Sequence, residues 1–199
     1  MRMFSGVLNL GAGMEHPAPS ASPTFITFTA GVSADSARRL IDVVHRAALL
    51  SDGEVHLMIA SAGGDVGAGL YAYHALRAIE TTLVTYNVGV IQSMGVILFL
   101  AGSTRRASAH TKFVIHGASW TLNASYNERA LSEKLALLKA DNAIMAGILA
   151  ERAGIEEQDA HALVASEHVK SAKEALACGL VHEIAEPRIP RGAPTEIIA

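Results

Sequence analysis

The most constraining feature of the sequence is an almost wholly apolar run, residues 88–102, in which Ser93 carries the only hydroxyl group. Residues 82–88 are short and rich in β-branched and aromatic side chains, which predicts a buried strand. Met94–Leu100 predicts a buried helix that ends at Gly102. Ser93 therefore lies at a strand-to-helix junction, near free backbone N–H groups and the positive end of a helix dipole. Both a nucleophile and an ordinary N-cap serine fit this position, and the N-cap is the commoner of the two.

Length and composition indicate one α/β domain. A chain of 199 residues is long enough for one domain with a substantial core and short for two. The net charge of −3, without a polybasic run, argues against nucleic acid or anionic lipid as a partner. Cys178 is the only cysteine, which excludes an internal disulfide framework and a cysteine metal cluster and fits a reducing cytoplasm.

The two ends of the chain differ from its middle. Residues 1–22 predict a flexible arm because glycine and proline interrupt them, and their weak signal-like character does not favour a cleaved leader. Residues 23–186 predict the folded domain, and residues 187–199 predict a loose tail. No apolar run reaches the length of a membrane span.

Strands and helices alternate through the folded domain, which predicts a mostly parallel sheet covered by helices. The predicted strands are residues 24–29, 54–60, 82–88, 104–107, 112–116 and 180–184, and the predicted helices are Ala34–Leu50, residues 66–79, Met94–Leu100, Glu128–Ala153, residues 155–165 and residues 172–178. Open α/β sheets place their sites beyond the carboxyl ends of strands. Three such places are residues 61–64, 92–95 and 116–117.

The glycine pair Gly63-Gly64 follows the second predicted strand. Glycines let the backbone approach a ligand and point its N–H groups at it. A phosphate cradle is disfavoured because no lysine follows and the Gly-x-Gly-x-x-Gly spacing is missing. An oxyanion hole is the better functional interpretation, with one N–H from this loop and one from the residue after Ser93. A tight turn without chemistry is the alternative.

His116 ends an apolar strand and is the candidate general base. The alternative is a strand-end histidine bonded to a backbone carbonyl. An acid that orients His116 has to come from elsewhere in the chain, and the candidates near strand ends are Asp65, Glu183 and Glu167, the last in a predicted loop over residues 165–170. No histidine pair has zinc-binding spacing with a carboxylate, so the sequence predicts neither a metal nor another cofactor.

Four blocks of sequence, within residues 25–184, share their order and spacing with a known family. They are Ile-Ala-Ser-Ala-Gly-Gly at residues 59–64, Ser-Met-Gly at 93–95, Val-Ile-His at 114–116 and SAKEALACGLV at 171–181. Together they resemble the proteolytic subunit of the Clp protease. The resemblance implies the spiral arrangement of ββα units shared with crotonases, and the activity of a cytoplasmic serine endopeptidase.

The resemblance also implies a set of site residues. Ser93 falls on the family's nucleophile and His116 on its base. Glu167 occupies the position of the family's aspartate, four residues before the serine that opens the last helix, and glutamate orients the histidine in some Ser-His hydrolases. The oxyanion donors map to the backbone N–H groups of Gly64 and Met94.

The resemblance implies a peptide or unfolded protein as substrate and a homo-oligomeric ring, with a heptamer as the candidate copy number. An ATP-dependent unfoldase is a candidate partner. Two segments depart from the family: Ser-Ala-Gly-Gly at residues 61–64 replaces Ser-Pro-Gly-Gly, and residues 117–123 lack the Gln-Pro stretch that lines the family's substrate groove.

Three alternatives stay open at this point. Proteases similar to signal-peptide peptidase A and the NfeD type use a Ser-Lys dyad, for which Lys134 or Lys139 would be the base. Crotonase-type acyl-CoA enzymes use the paired amides without a serine nucleophile. An inactive Clp-like ring subunit would use the long helix Glu128–Ala153 to pack against its neighbours.

Overall fold

A computed structural model describes residues 23–50 and 53–199 of the chain, so the predicted arm, residues 1–22, lies outside the described residues. The described residues form, in chain order, β1 (Thr24–Phe28), α1 (Ala34–Leu50), β2 (Glu54–Ile59), α2 (Val66–Arg77), β3 (Thr82–Asn87), β4 (Val90–Gln92), α3 (Met94–Leu100), β5 (Thr104–Ala107), β6 (Lys112–Ile115), α4 (Glu128–Ala153), α5 (Glu157–Ala165), β7 (His168–Ser171), α6 (Ala172–Ala177), β8 (Glu183–Ile184) and β9 (Thr195–Ile198).

Two sheets organise the fold. The larger has six strands in the order β8-β5-β3-β2-β1-β9, and every pairing in it is parallel. The smaller has the order β4-β6-β7, with β4 and β6 parallel and β7 antiparallel to β6. The predicted α/β class with a mostly parallel sheet is confirmed. Parallel strands buried on both faces explain why the strands read as continuous apolar runs.

Helix α1 buries its apolar face against the large sheet, and α3 packs against strands of both sheets. Leu40, Ile41 and Val44 of α1 join the main core with Ile26 and Leu57 of the sheet. All seven residues of α3 are buried, as expected for a helix that is apolar on every side. Because α3 is enclosed on all sides, the residue that opens it is held in a fixed position.

Helix α4 is buried only in its second half. Met145, Ala146, Ile148 and Leu149 are buried, whereas Leu131, Leu135 and Leu137 in the first half are exposed. No described helix is both long and apolar enough to span a bilayer.

The end of the chain differs from the prediction. A loose tail was expected from residue 187, but Thr195–Ile198 forms β9, which pairs in parallel with β1. Ile198 is buried in the main core, and Ala193 packs against a second cluster formed by Phe25, Met58, Val84 and Tyr86. The strand is imposed by pairing with the free edge of β1, which the local sequence does not reveal. For the same reason part of the predicted loop at residues 165–170 is strand β7, paired with β6.

The buried guanidinium of Arg105 connects α4 with the segment after α6 through hydrogen bonds. Arg105 donates hydrogen bonds to the carbonyl oxygens of Arg152 (2.7 Å), Leu180 (2.8 Å) and Gly179 (3.1 Å). The Arg152 carbonyl lies in the last turn of α4, where the helix dipole favours a positive charge, and Gly179 and Leu180 follow α6 and its cap Cys178. Burial, with Arg152 beside it, lowers the pKa of Arg105 to about 10, so the side chain stays charged at neutral pH.

Candidate active site

Ser93 has the most unusual backbone conformation in the described part of the chain. It is the one non-glycine residue there with a positive φ, and its angles are φ 54° and ψ −126°. An N-cap residue has extended angles and a capping side chain, and the Ser93 side chain makes no capping hydrogen bond. A serine on a strained strand-to-helix turn presents its hydroxyl away from both elements, as nucleophiles of α/β hydrolases do. The geometry therefore does not support the N-cap interpretation.

Close packing against glycines makes this turn possible. A Cβ at Gly63, where φ is +80°, would lie 2.8 Å from Ser93 Cβ and 2.9 Å from Met94 N. A Cβ at Gly95 would meet the Ser61 carbonyl oxygen at 3.1 Å. The loop after β2 and the start of α3 thus approach more closely than side chains would allow.

The glycine loop is fixed from its outer side by Val32. Val32 N donates to Gly63 O at 2.8 Å, and Asp65 N donates to Val32 O at 2.8 Å. These bonds leave the N–H of Gly64 between them, and it has no hydrogen-bond partner in residues 23–50 or 53–199; the same holds for the N–H of Met94, the first residue of α3. Two free N–H groups beside Ser93 are the arrangement that an oxyanion hole needs.

Ser93, His116 and Gly64 line one cavity of about 300 Å³. Strand β4 leads to Ser93 and its neighbour β6 leads to His116, with Gln92 opposite Val114 in the parallel register. Ser93 N also donates to Val114 O at 2.9 Å, which ties the turn to β6. The fold thus brings the predicted nucleophile, base and glycine loop together at the carboxyl ends of strands.

The imidazole of His116 is held in one tautomer. Its Nδ1 lies 2.8 Å from the carbonyl oxygen of Gly117. A carbonyl oxygen only accepts hydrogen bonds, so Nδ1 carries the hydrogen and Nε2 of the neutral ring is bare. A bare Nε2 is what a general base requires.

The three candidate acids have different surroundings. Asp65 caps α2 by accepting from Ala68 N at 2.7 Å, and Glu183 pairs with Arg106 at 2.8 Å. Glu167 directly precedes β7, whose antiparallel register sets Ile115 opposite His168. Continuing that register by one residue sets Glu167 opposite His116. The Glu167 side chain is exposed and, within the described residues, makes no hydrogen bond to the imidazole.

The candidate lysines of a Ser-Lys dyad do not line this cavity. The Lys134 Nζ lies over the rings of Trp120, at 4.7 Å from the centroid, and Tyr126, at 5.4 Å. Lys139 is exposed on α4. In the described segments, no group of three or more His, Cys, Asp or Glu side chains is placed to hold a metal ion.

Sequence reasoning missed one residue next to the site, Asn142 of α4. Its Oδ1 accepts a hydrogen bond from Ala118 N at 2.7 Å, and its side chain packs against Gly117. The only signal in the sequence is a polar residue of poor helix propensity just before the apolar half of a long helix. That signal does not show which loop the side chain reaches.

The fold and the serine turn define an α/β protein with hydrolase-like geometry, and comparison with known proteins identifies its family. The family model for Clp protease matches residues 22–188, and the chain belongs to this family. Among solved structures, a mutant of ClpP1 from Listeria monocytogenes is similar with a TM-score of 0.74 and 19% identity, over 82% of this chain and 92% of that chain. This likeness shows that the chain has the fold of ClpP, and the family makes it a peptidase.

Proposed function

We propose that the protein is a serine endopeptidase in which Ser93 is the nucleophile and His116 the general base. The observation that carries the proposal is the strained turn of Ser93, whose uncapped hydroxyl shares a cavity with the imidazole of His116. A residue in a costly backbone conformation persists where function requires it. The bare Nε2 of His116 supports the same assignment.

The chemistry is acyl transfer. Nε2 of His116 takes the proton of Ser93 Oγ while Oγ bonds to the peptide carbonyl carbon. The C–N bond then breaks, and the imidazolium passes its proton to the leaving amine. Water repeats both steps at the acyl ester, which releases the carboxylic acid and restores Ser93.

The free N–H groups of Gly64 and Met94 are proposed to bind the oxygen that becomes negative in each tetrahedral intermediate. Both are backbone groups held by packing, so they need no rearrangement during the reaction. Glu167 stays a prediction as the third member of the triad: its place in the register supports it, while within the described residues its side chain makes no hydrogen bond to His116.

A homo-oligomeric ring that encloses the site is proposed, with a heptamer as the candidate and a peptide or unfolded protein as substrate. The exposed leucines of α4 support the assembly, since a patch of this kind marks an interaction surface. An ATP-dependent unfoldase as partner and a cytoplasmic location are proposed from the family and, for the location, from the single free cysteine.

Covalent labelling by a fluorophosphonate probe tests the catalytic roles. We expect the protein to be labelled, Ser93→Ala to abolish labelling, and His116→Ala to slow it by at least a hundredfold. Ser132→Ala, at an exposed position of α4, is the matched serine control and keeps the wild-type rate. Labelling that survives in Ser93→Ala contradicts the proposal, and a wild-type protein that is never labelled favours an inactive ring subunit.

A further inference from the structure

The imidazole of His116 is oriented by a peptide group rather than by a carboxylate. The 2.8 Å bond from Nδ1 ends on the carbonyl oxygen of Gly117, and no described carboxylate bonds to the ring. A backbone carbonyl fixes a histidine only if the peptide itself is fixed. The orientation of His116 therefore depends on what holds the peptide that joins Gly117 to Ala118.

Asn142 holds that peptide from its other side. The carbonyl of Gly117 and the N–H of Ala118 belong to one peptide group, and the N–H donates to Asn142 Oδ1 at 2.7 Å. The result is a continuous chain of hydrogen bonds from Asn142 through the 117–118 peptide to His116 Nδ1. Hydrogen bonds in such a chain polarise one another, so the amide oxygen of Asn142 makes the Gly117 carbonyl a better acceptor.

Packing leaves the peptide little freedom to move. A Cβ at Gly117 would lie 2.7 Å from Asn142 Oδ1 and 2.8 Å from the Val164 carbonyl oxygen of α5. The loop is therefore pressed between α4 and the end of α5. Three residues after Asn142, α4 enters its buried half at Met145, which anchors the asparagine to the core.

We propose that Asn142 is the positioning residue of the active site and acts on His116 through the 117–118 peptide, in the role that an acid has in a triad. The inference rests on the proposed function of His116 as base. A site in which Glu167 alone orients the imidazole differs from this one, because substitution of Asn142 would then leave the rate of labelling unchanged.

The test measures the second-order rate of fluorophosphonate labelling in three variants of the full chain. Asn142→Ala removes the acceptor and is expected to slow labelling by about tenfold or more, the effect of losing one hydrogen bond that holds the base. Asn142→Asp keeps an acceptor oxygen at the same position and is expected to restore the rate to within threefold of wild type. The matched control Glu133→Ala, at an exposed position of the same helix α4, is expected to stay within threefold of wild type.

The tautomer of His116 provides a readout that does not depend on labelling. Nitrogen NMR of histidine-labelled protein is expected to show Nδ1–H in the wild type and in Asn142→Asp, and a mixture of tautomers in Asn142→Ala. A wild-type His116 with the hydrogen on Nε2 overturns the inference. So does an Asn142→Ala variant with the wild-type rate.

The two proposals fail in different ways. A wild-type protein that is not labelled overturns the role of Ser93, and the tautomer of His116 then decides the inference about Asn142 alone. If Asn142→Ala does not fold, the rate of Asn142→Asp and the wild-type tautomer decide it.

Discussion

Ser93 occupies a backbone region that costs a non-glycine residue on the order of 1–3 kcal/mol. The buried helix α3 on one side and the glycine loop on the other hold it there. Packing thus holds the Ser93 hydroxyl away from the backbone N–H groups of α3, the helix that it precedes. A serine that relaxed into an ordinary N-cap would direct its hydroxyl to the backbone instead of the cavity.

This conformation predicts a stability difference between two variants of Ser93. Because glycine adopts positive φ without the Cβ penalty, Ser93→Gly is expected to have a free energy of unfolding about 1 kcal/mol higher than Ser93→Ala. Urea denaturation measures the difference. The matched pair at Ser132, on the exposed face of α4, is expected to show the opposite order, with alanine more stable than glycine by about 1 kcal/mol. A Ser93→Ala variant as stable as Ser93→Gly would show that the turn carries no strain.

The sequence predicted Ser93 and His116 as candidate site residues because each lies at the end of an apolar element, a position that local pattern reveals. Asn142 was not predicted because its contact with Ala118 is tertiary: α4 lies against the loop after β6 only in the packed fold. Glu167 is the intermediate case. The family resemblance gave it as the candidate acid, and the register sets it opposite His116, but register fixes the backbone and leaves the direction of the side chain undetermined.

At the scale of elements, the two halves of α4 differ in how far they are buried. Its second half is core, and its first half presents Leu131, Leu135 and Leu137 at 45%, 52% and 55% exposure. Leu131 and Leu135 join Trp120 and Leu122 in lining a groove of about 300 Å³. An apolar surface of this kind is costly in water and is expected to be covered by another subunit.

A charge placed on this surface is expected to disrupt the assembly. Leu135→Asp puts a carboxylate into the apolar patch, which an interface tolerates only at a cost of several kcal/mol. Light scattering after size-exclusion chromatography is expected to show a smaller species than wild type. Leu176→Asp, at an exposed leucine of α6, is the control and is expected to leave the mass unchanged. A wild-type mass equal to one chain, or an equal loss in both variants, would contradict a role for α4.

Most elements could be predicted from the sequence, and the three that could not, β4, β7 and β9, have a common cause. β4 is only three residues long and pairs with β6. The helices and the central strands carry their own periodicity, so α1, α3 and the limits of α4 agree with the prediction. Strands β7 and β9 are four residues each and largely exposed, so their sequences carry little signal. Both become strands because a partner, β6 or β1, offers free backbone groups.

At the scale of the whole molecule, the sheet is completed by its last strand. β9 pairs along the outer side of β1, and Ile198 is 1% exposed while its neighbour Ile197 is 71% exposed. Adjacent strand residues point to opposite faces, so one isoleucine enters the core and the other faces out. Strand β9 therefore contributes Ile198 to the core.

The same substitution by alanine is expected to change the free energy of unfolding differently at Ile198 and at Ile197. Ile198→Ala is expected to lower the free energy of unfolding by about 2–4 kcal/mol, because it removes buried methylene groups and leaves a cavity. Ile197→Ala is expected to change it by less than about 0.5 kcal/mol as a surface substitution. Urea denaturation of both variants at one protein concentration measures the difference. Equal effects would show that β9 is not docked on the core in solution.

The pairing of β1 with β9 also bears on how the protein is made. The ribosome makes β1 long before β9, so the outer side of β1 stays without this partner until residues 195–198 have been made. A chain that stalls before residue 195 would keep that edge open and would lack part of its core. Completion of the sheet therefore waits for the synthesis of β9.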